Sequence, residues 1–284
     1  MTVLQLGEIA VQRILEHEIP VYHPSDFFEE ATAEAIEPYR EWLEPKALCP
    51  HTGLMIMPVQ SYLVRTRHHC ILIDTCCGCN KTYAEPPQWH PRSNEAWLSN
   101  LAAAGVHPED IDYVFCTHLH SDHCGWNTRR VDGRWIPTFP NAKYMFAREE
   151  YQAMEAENHQ IYIDNVLPIM EANQAVLVDQ DYALDDEIWL EPTPGHSAGH
   201  VAIHLKSGQH HGVMCGDLIH TPLQLAEPAW TPTFEYDMAA STNTRKTFLN
   251  THCESDTLVM TAHFPSPSMG HIVARGNGYD FRYV

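Results

Sequence analysis

Three imidazoles and a carboxylate fall within six residues at His118-Leu119-His120-Ser121-Asp122-His123. Packed side by side, such imidazoles would repel one another if protonated and would need partners if neutral. A divalent cation resolves both problems, because it takes neutral imidazole and ionised carboxylate as ligands. In an extended segment His118 and His120 point the same way. Asp122 and His123 lie past the turn and can face a second ion. Three more candidates follow: His196 in Thr193-Pro194-Gly195-His196-Ser197-Ala198-Gly199-His200, Asp217 after Gly216, and His263 in Ala262-His263-Phe264-Pro265. Gly195 allows a tight turn that projects His196.

These side chains need strands to hold them. Short apolar or alternating runs predict strands over Gln60–Thr66, Cys70–Asp74, Asp112–Thr117, Lys143–Phe146, Ala175–Val178, Glu187–Glu191, Val201–Leu205, Val213–Cys215 and Thr257–Thr261. Each candidate ligand then sits where a strand runs out, as expected when strand ends converge on one rim of a sheet. Helices are predicted from Ser93, as a cap, through Trp97 and Leu101 to about Ala104, and over Arg148–Glu157 and Met238–Thr251. Strands in runs broken by helices indicate a layered α/β domain. Residues 1–58 read differently, with a helix from Ser25 through Phe27, Phe28 and Ile36 to Trp42, then a stretch from Pro45 to Pro58. We read them as an N-terminal arm packed on a core domain of residues 59–284. The other reading is a lid or a subunit-interface arm, of the kind a homodimer would use.

The 284 residues carry 17 Lys+Arg and 37 Asp+Glu, a formal charge of −20. That balance excludes a nucleic-acid partner, whose phosphates need basic side chains. Twenty histidines suit bound cations instead. Nine cysteines, an odd number without regular spacing, do not make a disulfide scaffold. Cys76-Cys77-Gly78-Cys79 has no second pair at zinc-finger spacing, so these read as loop thiols near the site. No apolar run is long enough to span a membrane, and Met1–Val11 lacks a basic leader region. The expectation is a cytoplasmic protein acting on a small molecule, not on nucleic acid or membrane. Trp126, three residues past His123, is the expected pocket wall. Trp89, Trp135, Trp230 and Phe234 lie in other loops near ligand-bearing segments.

The motifs HLHSDH, PGHSAGH, GD and AHF, in this order and spacing, resemble the metallo-β-lactamase superfamily from about Gln60 to the C-terminus. The resemblance implies an αββα four-layer sandwich, with two sheets face to face, helices outside and metals at one edge. It implies that His118, His120 and His196 hold one metal, Asp122, His123 and His263 the second, and that Asp217 bridges both. Asp74 would support the metal loop from behind, and His200 would not be a ligand. Two divalent ions roughly 3.5–4 Å apart share a water and lower its pKa, making a hydroxide nucleophile, and also polarise a carbonyl or phosphoryl oxygen. Asp122 can hydrogen-bond that hydroxide and pass a proton to the leaving group. Zinc is the first expectation for a nitrogen-rich site, and two carboxylates are also compatible with manganese, iron or cobalt.

Asp217 stands where the zinc-cysteine β-lactamases place a cysteine, which disfavours antibiotic hydrolysis. The absence of a long insertion between Asp217 and His263, with the acidic charge, disfavours a nuclease. The HSDHCGW and AHFP surroundings are most similar to N-acyl-homoserine lactonases and methyl-parathion-hydrolase-like esterases. The resemblance therefore implies a dinuclear hydrolase of a small, mostly apolar ester, lactone or phosphoester. Lactonases of that group carry a tyrosine three residues after the bridging aspartate. Here His220 takes that position, and we assign it to the substrate carbonyl or leaving group, with support behind the ligands as the alternative. The competing class is a mononuclear iron oxidoreductase of the persulfide dioxygenase kind, for which Asp122 and His263 would be superfluous.

Overall fold

The computed structural model describes residues 2–82 and 95–284. Apolar, β-branched runs supply the strands: β1 (Val3–Leu6), β2 (Ile9–Tyr22), β3 (Met55–Arg65), β4 (Cys70–Ile73) and β5 (Tyr113–Phe115). A small hairpin of β6 (Thr128–Val131) and β7 (Arg134–Pro137) precedes β8 (Lys143–Ala147) and β9 (Ala175–Val178). One sheet has the order β1-β2-β3-β4-β5-β8-β9. The other runs in sequence order through β10 (Ile188–Pro192), β11 (Val201–Ser207), β12 (His210–Met214), β13 (Leu258–Met260), β14 (Met269–Arg275) and β15 (Gly278–Tyr283).

The sheets pack face to face. Ile9, Val11, Tyr62, Val64, Ile71 and Phe115 of the first share a core with Leu190, Val201, Ile203, Leu205, Met214 and Met260 of the second. Outside the first sheet lie Trp97 and Leu101 from the helix Ala96–Ala103, with Tyr151 and Met154 from Arg148–Glu157. Phe248 and Leu249 from Met238–His252 cover the second. This is the expected αββα sandwich. Near-continuous burial along β3 and β11 is what strands covered on both faces require.

Pairing direction positions the site. β4 and β5 are parallel, and so are β12 and β13. Chains leaving parallel neighbours emerge on the same side, so the segments after β4 and β5 share one end of the first sheet and those after β12 and β13 one end of the second. The 3.1 Å approach of His123 Nε2 to Asp217 Oδ1 brings the two ends to one rim. Those segments carry Asp74, Thr117–His123, Asp217 and Thr261–His263.

The N-terminal region departs from expectation. β2 pairs with β3 from Ala10↔Arg65 to Tyr22↔Met55, so residues 3–22 supply two strands and a cut at residue 58 falls inside β3. Polar residues disguised β2. Its Arg13 donates to Gln60, Ser266 and Ser268, and its Glu16 accepts from Trp126 Nε1 at 2.8 Å and from the Cys77 amide at 3.0 Å. The expected helix from Ser25 to Trp42 is broken into Pro24–Phe27, Ala33–Ile36 and Arg40–Leu43. Phe28 is extended between the first two, and Thr32 caps the second through its hydroxyl. Phe27, Phe28 and Leu43 pack with Met57, Leu223 and Trp230. Ser93 and Trp89 lie outside the described residues. Among those described, no helix is long and apolar enough to cross a membrane.

Candidate metal centre

Asp74 follows β4 with a left-handed φ of +57°, which turns its carboxylate toward the loop after β5. It accepts the Thr117 amide at 2.8 Å, the Thr117 hydroxyl at 2.9 Å and His123 Nδ1–H at 2.9 Å. Because Thr117 Oγ1 donates to Asp74, it can accept from His118 Nδ1, 3.1 Å away. His263 Nδ1 lies 2.8 Å from the Pro58 carbonyl, and His196 Nδ1 lies 3.2 Å from Glu235 Oε2. Four rings thus have their outer Nδ1–H tied to oxygen. That fixes the tautomer in which Nε2 presents a lone pair inward.

The loops are tied as well. Glu150 accepts the Leu119 amide at 3.0 Å, the Gly199 amide at 2.8 Å and the Ser197 hydroxyl at 2.7 Å, joining the two histidine-bearing segments. His200 accepts the Asp217 amide on Nε2 at 3.0 Å, with Nδ1 2.7 Å from Thr193 Oγ1. It backs Asp217 and does not join the inward groups. Gly216 has φ +52°, and a Cβ there would lie 2.5 Å from His200 Nε2. Sequence reasoning missed Glu150 and Glu235, since nothing in their local context marks an acid that reaches across to another loop.

The inward atoms form two groups around one carboxylate. His118 Nε2 and His196 Nε2 each lie 3.0 Å from His120 Nδ1, and 3.8 and 3.4 Å from Asp217 Oδ2. On the other side, His123 Nε2 and His263 Nε2 each lie 3.1 Å from Asp217 Oδ1, and 3.5 and 3.4 Å from Asp122 Oδ2. Ligands about 2.0–2.2 Å from a tetrahedral ion are themselves roughly 3.3–3.6 Å apart. Both groups approximate that spacing, and each gathers four ligand atoms within 4.8 Å of one another. His123 Nε2 and Asp217 Oδ1 are buried without a hydrogen-bond partner, although only 3.1 Å apart. Orphaned donor-set atoms aimed at a common point are what a cation satisfies.

Electrostatics divides the groups. Burial holds His118 and His196 well below the usual imidazole range, so both are neutral. Burial also opposes a charge on His123 and His263, but Asp217 and its acidic neighbours outweigh it and raise both. Burial likewise disfavours ionised Asp217 and Asp122, yet the facing histidines hold both carboxyls low. With Nδ1 of His123 and His263 held by Asp74 and the Pro58 carbonyl, a divalent cation facing Nε2 would supply the positive charge that these carboxylates attract.

Residues 55–263 match the family described as the Metallo-beta-lactamase superfamily. The chain belongs to that superfamily. It is 28% identical over 172 residues to an N-acyl homoserine lactonase of Bacillus thuringiensis, covering 57% of this chain and 63% of that one. It is 30% identical over 163 residues to the enzyme of that name from Bacillus cereus, covering 53% and 59%. The matches thus span less than two thirds of the curated relatives. Among solved structures, AidC, a dizinc quorum-quenching lactonase in complex with a product, superposes with a TM-score of 0.81 at 20% identity, over 100% of this chain and 97% of that one. The hydrolase AbOPH superposes equally well, also at 20%, over 99% and 96%. At that identity the likeness shows the metallo-β-lactamase fold alone.

A cavity of about 450 Å³ opens on both groups, with Tyr22, Phe27, Met57, Ile161 and Phe234 among its walls. Asp122, His120, His196, Asp217, His220 and His263 line it too. His220 lies with Nε2 3.3 Å from Asp217 Oδ2, stacked on His263 at 5.9 Å between ring centroids, and neither ring nitrogen has a hydrogen-bond partner. Trp126 is not a wall. It is buried in the core, stacked on Trp97 at 5.7 Å, because its indole N–H is drawn inward to Glu16. Trp230 packs on Phe28, and Trp135 lies over Lys81 Nζ. Cys76, Cys77, Cys79 and Cys124 are buried thiols, and none joins a metal-capable group among the described residues.

Proposed function

We propose that this chain is a dinuclear metal-dependent hydrolase of a small, mostly apolar lactone, ester or phosphoester. The observation that carries the reading is Asp217, whose two oxygens each face a separate, complete set of inward donors beneath one cavity. The named lactonase relatives support the lactone and ester end of that range. His118, His120 and His196 would hold one ion with Asp217 Oδ2, and Asp122, His123 and His263 the other with Oδ1. Zinc fits the five imidazole nitrogens best. When bound, two such ions supply Lewis acidity, lowering the pKa of a water and polarising the substrate's oxygen.

The chain's own residues do the rest. Asp122, held ionised at the cavity wall, accepts a proton on its carboxylate and returns it to the leaving oxygen. His220 is fixed by His263 on one face and by the edge-on ring of Phe27 at 5.2 Å, so a ring N–H can be donated to the carbonyl or leaving oxygen. Phe27, Met57 and Phe234 exclude water and receive the apolar part of the substrate. A mononuclear iron oxidoreductase would leave Asp122 and His263 without a role. The test is a panel of lactones, aryl esters and phosphotriesters on protein reconstituted with Zn²⁺. Turnover of at least one class above the metal-free control supports the proposal, and no turnover of any class overturns it.

A further inference from the structure

Glu235 stands outside the seven inward residues, yet its side chain is fully buried and its Oε2 lies 3.2 Å from His196 Nδ1. The same loop grips the turn that carries His196: the Tyr236 amide donates to the His196 carbonyl at 3.2 Å and the Asp237 amide to the Gly195 carbonyl at 2.8 Å. Behind the loop, Arg245 is wholly buried and holds it through the Trp230 carbonyl at 2.9 Å and Thr231 Oγ1 at 2.7 Å. Burial raises the Glu235 carboxyl above its usual range, with His220 and Arg245 pulling against that rise.

We propose that Glu235 is a positioning residue that accepts a hydrogen bond from Nδ1–H of His196 and so aims Nε2 of that ring at the Asp217 Oδ2 group. This rests on the dinuclear reading above. A backbone carbonyl or hydroxyl could orient a ring, but a buried carboxylate also makes the imidazole a stronger donor at its far nitrogen. Glu235 thereby acts on one of the two groups and not on the other. Glu235 Oε1 has no hydrogen-bond partner, and ligand atoms of His196, His220 and Glu235 lie within 4.8 Å of one another. Glu235 as a ligand for a third cation is therefore the competing outcome.

The test is Zn²⁺ titration with chelator competition on wild type, Glu235→Gln and Glu235→Ala, with thermal unfolding alongside. Wild type should take two equivalents. In Glu235→Ala one ion should bind about 10–100-fold more weakly while the other is unchanged, the size seen when a carboxylate behind a metal-bound histidine is lost. Glu235→Gln, which keeps an acceptor oxygen without the charge and retains the packing, should fall between. A purely structural role would lower the melting temperature or weaken both ions together. Two ions bound as in wild type by Glu235→Ala would overturn the proposal. So would a third equivalent in wild type that Glu235→Ala loses. Fewer than two equivalents in wild type would overturn the dinuclear reading itself, and this assignment with it.

Discussion

His200 Nε2 accepts the backbone N–H of Asp217 at 3.0 Å, so a histidine outside the inward groups fixes the residue that joins them. Substituting His200→Ala would strand that buried amide and open a hole beside Gly216. An unsatisfied buried donor costs about 1–3 kcal/mol, to which the cavity adds. We expect urea denaturation to show a loss of at least that size, together with weaker binding of both ions, because Asp217 serves both. An unchanged unfolding midpoint would contradict this role.

Asp74 should act on the second group through His123. Asp74→Ala removes the acceptor of His123 Nδ1–H and of two Thr117 donors. Metal affinity should drop about 10–100-fold by chelator competition, as for other residues that orient metal-binding histidines. Affinity within error of wild type would assign Asp74 to the turn alone.

Much of this site was readable in the sequence, and the limits are physical. His118 to His123, His196, Asp217 and His263 each follow a short apolar run, so strand ends and candidate ligands could be read together. Parallel pairing of β4 with β5 and of β12 with β13 sets Asp74 beside His118–His123 and Asp217 beside His263, whereas His196 follows β10, which pairs antiparallel with β11. Glu150 and Glu235 were not legible, because each acts on residues 31 to 49 positions away. β2 was missed since Gln12, Arg13, Glu16 and His17 look solvent-facing, whereas Gln12 and His17 are buried and Arg13 and Glu16 bond to Ser268 and Trp126 far along the chain. Trp126 misled for a related reason, as closeness in sequence to His123 does not set the side of the loop it faces.

Gly195 is the tightest point of the His196 turn. Its φ is +134°, and a Cβ would lie 2.1 Å from the Ser241 amide nitrogen. Gly195→Ala combines overpacking with backbone strain, together about 2–6 kcal/mol. Thermal unfolding should show a fall of several degrees or little folded protein. A melting temperature equal to wild type would mean that the turn is looser than described.

Stability should weaken in mild acid through His252. Burial, with His204 and His211 nearby, pushes its pKa down to about 4. An unfolded histidine titrates near about 6.5, so the unfolded chain binds this proton first as the pH falls. The contribution is present above about pH 6.5 and is lost as the pH falls toward about 4. Urea midpoints of wild type should therefore drop between pH 7 and pH 5 more than those of His252→Gln. Parallel loss in both would place the acid sensitivity elsewhere.

His220→Ala should lower kcat/KM on the best substrate about 10–100-fold, the size of one hydrogen bond to a reacting, charged oxygen. Zn²⁺ stoichiometry should stay at two, because His220 is not among the residues assigned to either ion. Unchanged kinetics would leave His220 as a wall of the cavity.

The central claim is that two ions, divided by Asp217, make this chain a hydrolase. Its most direct test is to add Zn²⁺ stepwise to metal-free protein and follow hydrolysis of a lactone or aryl ester by acid release. Turnover should rise with bound Zn²⁺ and reach its plateau at two equivalents per chain. Full activity at one equivalent, or none at two with any substrate of the panel, would contradict it.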